Sequence, residues 1–417
     1  MSALAATWSI AALATWGVIV RPWQLPEAIW AVTGAALLVL SGVLPAAEAW
    51  RGIAHGTDVY LFLIGMMLLA AVAREEGLFD WLAAQAATHA CGSATRLFTL
   101  IYACGTVVTV FLSNDATAVV LTPAVAAVAR TAKAENPLPY MLICAFIANA
   151  ASFVLPISNP ANLVIYGNTV PPLLQWLPCY ALPSLIAIMT TYIMLRFTQH
   201  RALRQTITTD AKVRPLSFSG RIAATGTILT AVVLMGASAL DQPLGLPTLV
   251  AGGTTAAIVL LLKRRAPWRI LGAISWGVLP LVAGLFVLVE ALDRTGLIRL
   301  LGAFMQDAVT WSASGTAWAS GVALALVSNL MNNLPAGLIA GSTVQAAHSP
   351  PQVTSAVLIG VDLGPNLSVT GSLATILWLG VLRREGLQID AGTFFKLGLV
   401  VMPPALLLAL AALILAA

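Results

Sequence analysis

The sequence predicts an all-α polytopic membrane protein built from two inverted-topology repeats. The expected content is about ten transmembrane crossings, two re-entrant hairpins and two broken helices. Three observations predict this. Charge is scarce, three polar passages recur in the same order in both halves, and the basic residues segregate sharply once the two hairpins are allowed. Of the 417 residues, 59% are hydrophobic and only 9% charged. A soluble domain carries about 25% charged residues, so this chain cannot coat a water-facing surface.

The elements follow in order. The first apolar run, Ala3 to Val20, has no Lys or Arg ahead of it and Arg21 behind it. It lacks the basic start of a signal peptide and reads as a first membrane helix. Further runs of near-bilayer length are Ala28 to Leu44, Tyr60 to Ala73, Leu173 to Leu195, Ile222 to Ala239, Leu246 to Leu262, Ile270 to Leu292 and Phe395 to Ala417. The expected division is an N-terminal pair of helices in 1–58, a first repeat core in 59–195, a polar cytoplasmic linker in 196–221 carrying Lys212 and Arg214, and a second repeat in 222–417. The net charge of +5 marks no nucleic-acid partner, because the basic residues lie between apolar runs, as topology signals do. Cys91, Cys104, Cys144 and Cys179 form no CxxC and no metal spacing, so they read as free thiols.

Internal similarity supports the two halves. Phe62 to Ala83 parallels Leu281 to Gly302, aligning Gly65 with Gly284 and Gly77 with Gly296. Asn114 to Ala118 parallels Asn332 to Ala336, and Asn149 to Asn162 parallels Asp362 to Thr375. Three matches in one order at nearly constant spacing are the mark of a repeat.

Two apolar stretches, Leu97 to Ala129 and Thr316 to Val344, are interrupted near their middles by polar residues. If both dip in and return, eighteen of the 21 Lys and Arg share one face, and only Arg51, Arg294 and Arg299 occupy the other. If both cross, that asymmetry collapses. The positive-inside rule therefore selects hairpins, with both termini outside. An odd number of crossings then separates equivalent points, which inverts the halves.

Backbone in hydrocarbon must bond internally, so a break there belongs beside a polar cavity or under a protein cover. Four breaks are legible: the hairpin tips at Ser113 to Thr117 and Asn329 to Pro335, and interrupted crossings at Pro156 to Asn162 and Gly364 to Ser372. They collect Asn114, Thr117, Asn149, Ser158, Asn159, Asn162, Asn332, Asn333, Thr370 and Ser372 as candidate substrate-binding residues. Any one of these can simply cap a half-helix or bond helix to helix. Paired clusters in inverted halves are what a central site requires.

Asp115 and Asp362 differ in kind. An ionisable group within the membrane costs about 3 kcal/mol to insert, so both are candidates for carrying a proton. Glu290 has Arg294 one turn on and reads as an ion-pair member. No Lys, Arg or His lies in the four breaks, which favours a neutral or cationic cargo over a polyanion.

These same stretches carry a family resemblance. FLSNDATAVVLTP (Phe111 to Pro123), FVLPISNPANLVI (Phe153 to Ile165), SNLMNNLPAG (Ser328 to Gly337) and GVDLGPNLSVTGSLATILWL (Gly360 to Leu379) resemble the signature stretches of ArsB-type arsenite efflux pumps. These belong to a superfamily that also holds sodium/proton antiporters and dicarboxylate carriers. The resemblance implies a bacterial inner-membrane transporter, not an enzyme, that exports arsenite and antimonite in exchange for protons. It assigns the polar residues of the breaks, with Asp115 and Asp362, to the central pocket, and implies neither cofactor nor metal. Relatives place a Lys where this chain has Asn366, so no cationic role carries over there. Some relatives work with a soluble ATPase subunit.

Two alternatives stay open at this point. One is a sodium-coupled carboxylate carrier or sodium/proton antiporter of the same superfamily. The other is an intramembrane aspartyl protease, ranked far lower because its YD and GxGD motifs are absent around Asp115 and Asp362.

Overall fold

The computed structural model describes residues 2–208 and 215–416; Lys212 and Arg214 of the linker lie outside them. Twenty α-helices account for most of this length. In chain order the first half runs α1 (Ala3–Val20), α2 (Glu27–Leu40), α3 (Ala46–His55), α4 (Thr57–Glu75) and α5 (Leu78–His89). It continues with α6 (Ala94–Phe111), a π-helical turn at 116–121 leading into α7 (Thr122–Thr131), then α8 (Leu138–Ala150), α9 (Pro160–Tyr166) and α10 (Leu173–Thr198). The second half repeats the order: α11 (Phe218–Ala239), α12 (Gly245–Lys263), α13 (Trp268–Ala273), α14 (Val278–Arg294) and α15 (Leu297–Trp311). It closes with α16 (Ala313–Met331), α17 (Asn333–Ala346), α18 (Pro351–Leu363), α19 (Leu373–Arg384) and α20 (Ala391–Ala416).

Among the described residues, six helices are long and apolar enough to cross a bilayer alone: α4, α6, α10, α11, α12 and α20. Of the others, α1, α2 and α14 are single apolar helices, and α8 with α9 and α18 with α19 form interrupted pairs. Pro or Gly stands at the start of most helices. Gly77 and Gly296 both take positive φ, at 73° and 84°, to start α5 and α15 after a reversal. That shared geometry is the reason these two glycines align between the halves.

Polar contacts sort the loops into two faces. On one, Glu76 pairs with Lys263 at 2.7 Å, and Glu75 lies 3.6 and 3.4 Å from Arg265 and Arg269. Also on this basic face, Arg130 pairs with Glu385, and the Asn136 N–H donates to Gln205 Oε1 at 3.0 Å. On the opposite face, Arg294 pairs with Glu48 at 2.6 Å and the Gly245 N–H donates to Asp58 Oδ1 at 2.7 Å. So α4 starts on this second face and ends on the basic one, while its counterpart α14 ends where α4 starts. The halves are inverted.

The same contacts identify the hairpins. Ser93, ahead of α6, bridges to Thr206, and Ala132, after α7, accepts from the Thr208 N–H at 2.9 Å. Both ends of the first hairpin therefore meet one segment on the basic face. In the second half, Gln306 of α15 donates to the carbonyl of Ala347 at 3.2 Å, so α16 begins and α17 ends on the opposite face. With two returns, the crossings are α1, α2, α4, α8–α9 and α10, then α11, α12, α14, α18–α19 and α20.

The halves interlock by exchange: α12 packs on α4, and α2 on α14. Small residues permit the approach. A methyl group on Gly252 would run into the carbonyl of Gly65, and one on Gly284 into the backbone of Ala31. Without a hydrophobic force between helices in lipid, such close backbone contact supplies the packing energy.

Candidate functional site

Each break has a local cause. After α8 the chain turns through Pro156–Ser158, and Asn159 becomes the N-cap of α9, its Oδ1 accepting the Ala161 N–H at 3.0 Å. Pro160 follows at the first helical position, where its missing N–H costs nothing. In the second half, Ser372 occupies the matching place and caps α19, its Oγ accepting the Thr375 N–H at 3.1 Å. At the first hairpin tip, Asn114 Oδ1 accepts the Asp115 N–H at 2.9 Å and Ser113 Oγ that of Ala116 at 3.2 Å. At the second, Asn332 adopts φ 73° and ψ 152°, a region that favours glycine. The neighbouring Asn333 N–H donates to the carbonyl of Gly371 at 2.9 Å, stitching this tip to the broken crossing.

Three of the breaks meet the first residues of α19, just past the fourth. Asn114 and Asp115, Asn159 and Pro160, Asn333 and Leu334, and Leu373 and Ala374 together line one cavity of about 20 Å³, with Leu63 of α4 and Val278 of α14 as its remaining walls. That is room for about one water molecule. A second pocket of about 70 Å³ shares Leu63, Asp115, Pro160 and Val278 and ends at Arg74, on the basic face. On the opposite side lies a vestibule of about 410 Å³ lined by His55, Asp58, Glu290 and Asp293. It reaches Leu163 of α9 and Leu338 of α17, but none of the residues around the small cavity. One helical turn, about 5.4 Å, separates these from Asn159 and Leu334. The cavity therefore communicates with the basic face and is shut toward the other.

The expected site residues divide into those that line the cavity and those that build its walls. Asn114, Asp115, Asn159 and Asn333 face it. Asp362 stands one side chain behind, fully buried, with Asn159 Nδ2 donating to Oδ1 at 2.8 Å and Ser152 Oγ at 2.7 Å from Oδ2. Asn149 donates to Asn366 Oδ1 at 3.0 Å, and Asn366 in turn to the carbonyl of Phe146, also at 3.0 Å, bolting the two broken crossings together. Ser158 donates to the carbonyl of Val110 at 3.0 Å, and Asn162 to that of Ser152 at 2.9 Å. Thr117 is turned away, bonded to Thr109 within its own hairpin at 2.8 Å. Asn332 caps Leu334 at 3.3 Å, and Thr370 donates to the carbonyl of Asn329 at 3.1 Å.

Sequence reasoning passed over Ser152 and Thr375, and placed Asn329 and Asn366 in the breaks without assigning them to the site. Asn329 donates to the carbonyl of Gly364 at 2.8 Å and accepts from Ser368 at 2.7 Å, tying hairpin to break. Thr375 was detectable, since the internal alignment pairs it with Asn162. Ser152 was not, since its partner position is Pro365. All four cysteines are free, and none lines the cavity.

Two inverted halves whose broken helices and hairpin tips converge on a small cavity bearing three amides and a carboxyl define a membrane transporter. The chain belongs to the citrate transporter family, whose model matches residues 11–362. It is 28% identical to an arsenical pump membrane protein of Escherichia coli over 418 residues, covering 95% of this chain and 96% of that one. A second arsenical pump membrane protein, from Yersinia enterocolitica, is 28% identical and covers 91% of each chain. Among solved structures, the fold is similar to the YdaH transporter of Alcanivorax borkumensis, with TM-score 0.59 and 17% identity over 88% of this chain and 86% of that one. It is also similar to MtrF of Neisseria gonorrhoeae, with TM-score 0.55 and 14% identity over 91% and 85%. The family and these relatives are membrane transporters, not enzymes.

Proposed function

We propose that this chain exports arsenite and antimonite across a bacterial inner membrane in exchange for protons, by alternating access at the central cavity. The basic face is cytoplasmic, both termini lie outside, and the cores in 59–195 and 222–417 move relative to each other. Two features support this reading. Relatives of nearly full length include several arsenical pump membrane proteins. The cavity offers amides and one carboxylate, without a Lys, Arg or His among its lining residues.

The second feature carries the choice of cargo. Arsenite at neutral pH is an uncharged trihydroxide that donates and accepts hydrogen bonds, and Asn side chains do both. A cavity of about 20 Å³ opening into one of about 70 Å³ suits a cargo of a few atoms. Citrate, the namesake of the family model, brings three carboxylates and would face Asp115 with no cation in the lining of the small cavity, Arg74 lying only at the far end of the adjoining pocket. In this reading Asn114, Asp115, Asn159 and Asn333 contact the cargo, and Asn149, Ser158, Asn162, Asn332, Thr370 and Ser372 hold them in place. An inward proton gains about 2.3 kcal/mol per 100 mV, equivalent to a cargo gradient of about fifty-fold.

Everted membrane vesicles test the proposal. Energised vesicles should accumulate arsenite, and a protonophore should abolish the accumulation. Accumulation that survives collapse of the proton gradient, or citrate taken up in place of arsenite, would sink it.

A further inference from the structure

Ser152 occupies an unusual position beside Asp362. Its Oγ lies 2.7 Å from the carbonyl oxygen of Asn149 and 2.7 Å from Asp362 Oδ2. A hydroxyl has one hydrogen to give, so it cannot donate to both acceptors. The other carboxyl oxygen, Oδ1, already receives an amide hydrogen of Asn159. Asn159 cannot turn its own oxygen there instead, because that atom caps the Ala161 N–H. Two acceptors therefore contend for one hydrogen inside a site where Ser152 and Asp362 are completely buried.

The surroundings hold no compensating cation. Helix α18 packs against α8, α9, α16, α17, α20 and the turn at 364–367. The titratable or charged side chains on these elements are Tyr140, Cys144, Tyr166 and Lys396; Lys396 is exposed near the start of α20. Across the cavity stands another carboxyl, Asp115. An ionised carboxylate at this place would be desolvated and unpaired, which is far costlier than a neutral acid with its hydrogen bonds made.

We propose that Asp362 is the carboxyl that carries the exchanged proton, and that Ser152 is the positioning residue that holds it. In the state seen here Asp362 Oδ2–H donates to Ser152 Oγ, and Ser152 donates to the Asn149 carbonyl, so every short contact has its hydrogen. On release the Oδ2–H bond breaks and the proton passes, with Asn159 displaced, to water in the pocket beside Asp115. The Ser152 hydrogen then swings from Asn149 to the new carboxylate. Because the Asn149 amide is bonded to Asn366, the change is felt in both broken crossings. The assignment rests on the proton-exchange reading above, but not on the identity of the cargo.

Infrared difference spectra of the purified full chain in lipid, recorded at neutral pH in H₂O and D₂O, test it. A protonated-carboxyl band should be present in the wild type and missing in Asp362→Asn. Ser152→Ala should shift that band and slow proton-driven exchange about tenfold, and Ser152→Thr, which keeps the hydroxyl, should restore both. Asp362→Asn offers an amide N–H toward Ser152 in place of the acid O–H, so it should match wild-type thermal stability while losing coupling. No band lost in Asp362→Asn, or a band and pH profile unmoved by Ser152→Ala, would overturn the assignment. A wild type that shows the band yet takes up no arsenite would remove the cargo and leave the proton carrier standing.

Discussion

Asn332 shows what a single residue contributes at this site. Its backbone, at φ 73° and ψ 152°, is one that side chains other than glycine's adopt at a cost of about 1–3 kcal/mol. Its side chain recovers part of this by capping Leu334. Replacing Asn332 with Gly removes strain and cap together, so thermal unfolding in detergent should change little. Replacing it with Val keeps the strain, worsens it by β-branching and loses the cap, and should cost about 2 kcal/mol or more. Equal unfolding temperatures for the two variants would show the tip relaxed. The aspartates divide at the same scale. Both were legible as intramembrane carboxyls, because any ionisable group there is conspicuous. Which one faces the cavity was not legible, since Asp115 and Asp362 occupy similar polar contexts in the chain. Asn159, standing between Asp362 and the cavity, decides it.

At the scale of elements, close helix contacts are set by glycines, and two of them make opposite predictions. Gly360 of α18 rests on the carbonyl of Gly321 of α16, where an added methyl has no room. Gly253, inside α12, has nothing within contact distance. Gly360→Ala should therefore destabilise by about 1–3 kcal/mol through overpacking. Gly253→Ala should be neutral or stabilise by up to about 1 kcal/mol through helix propensity. Thermal unfolding compares them directly, and a tolerated Gly360→Ala would mean that α16 and α18 can part at little cost. The hairpins were legible because charge distribution reports which loops share a face. Their interior was less so. The π-helical turn at 116–121 has no signature in ATAVVL, which is as compatible with an ordinary helix. The short α9 was visible through the Asn-Pro that starts it, and the capping role of Ser372 through its alignment with Asn159.

For the whole molecule, orientation is the testable claim. Cys91 is exposed in the turn between α5 and α6, on the basic face, whereas Cys179 is half-buried near the start of α10, toward the other. In a Cys179→Ser background, a membrane-impermeant maleimide should label Cys91 in everted vesicles and leave intact cells unlabelled. Labelling from outside in intact cells would reverse the topology and, with it, the direction of export.

The membrane character, the four places where the backbone breaks and the opposed course of the two halves were all determined by the chain alone. The bilayer enforces them through local properties: apolar length, polar interruptions in apolar runs, and the side on which Lys and Arg fall. Only the tertiary structure decided which polar side chains face the cavity and which seal it. That depends on how each half-helix is rotated and on partners far apart in the chain, as when Ser152 meets Asp362 across 210 residues. No local pattern encodes such a pairing, because it is fixed only when the two inverted halves dock.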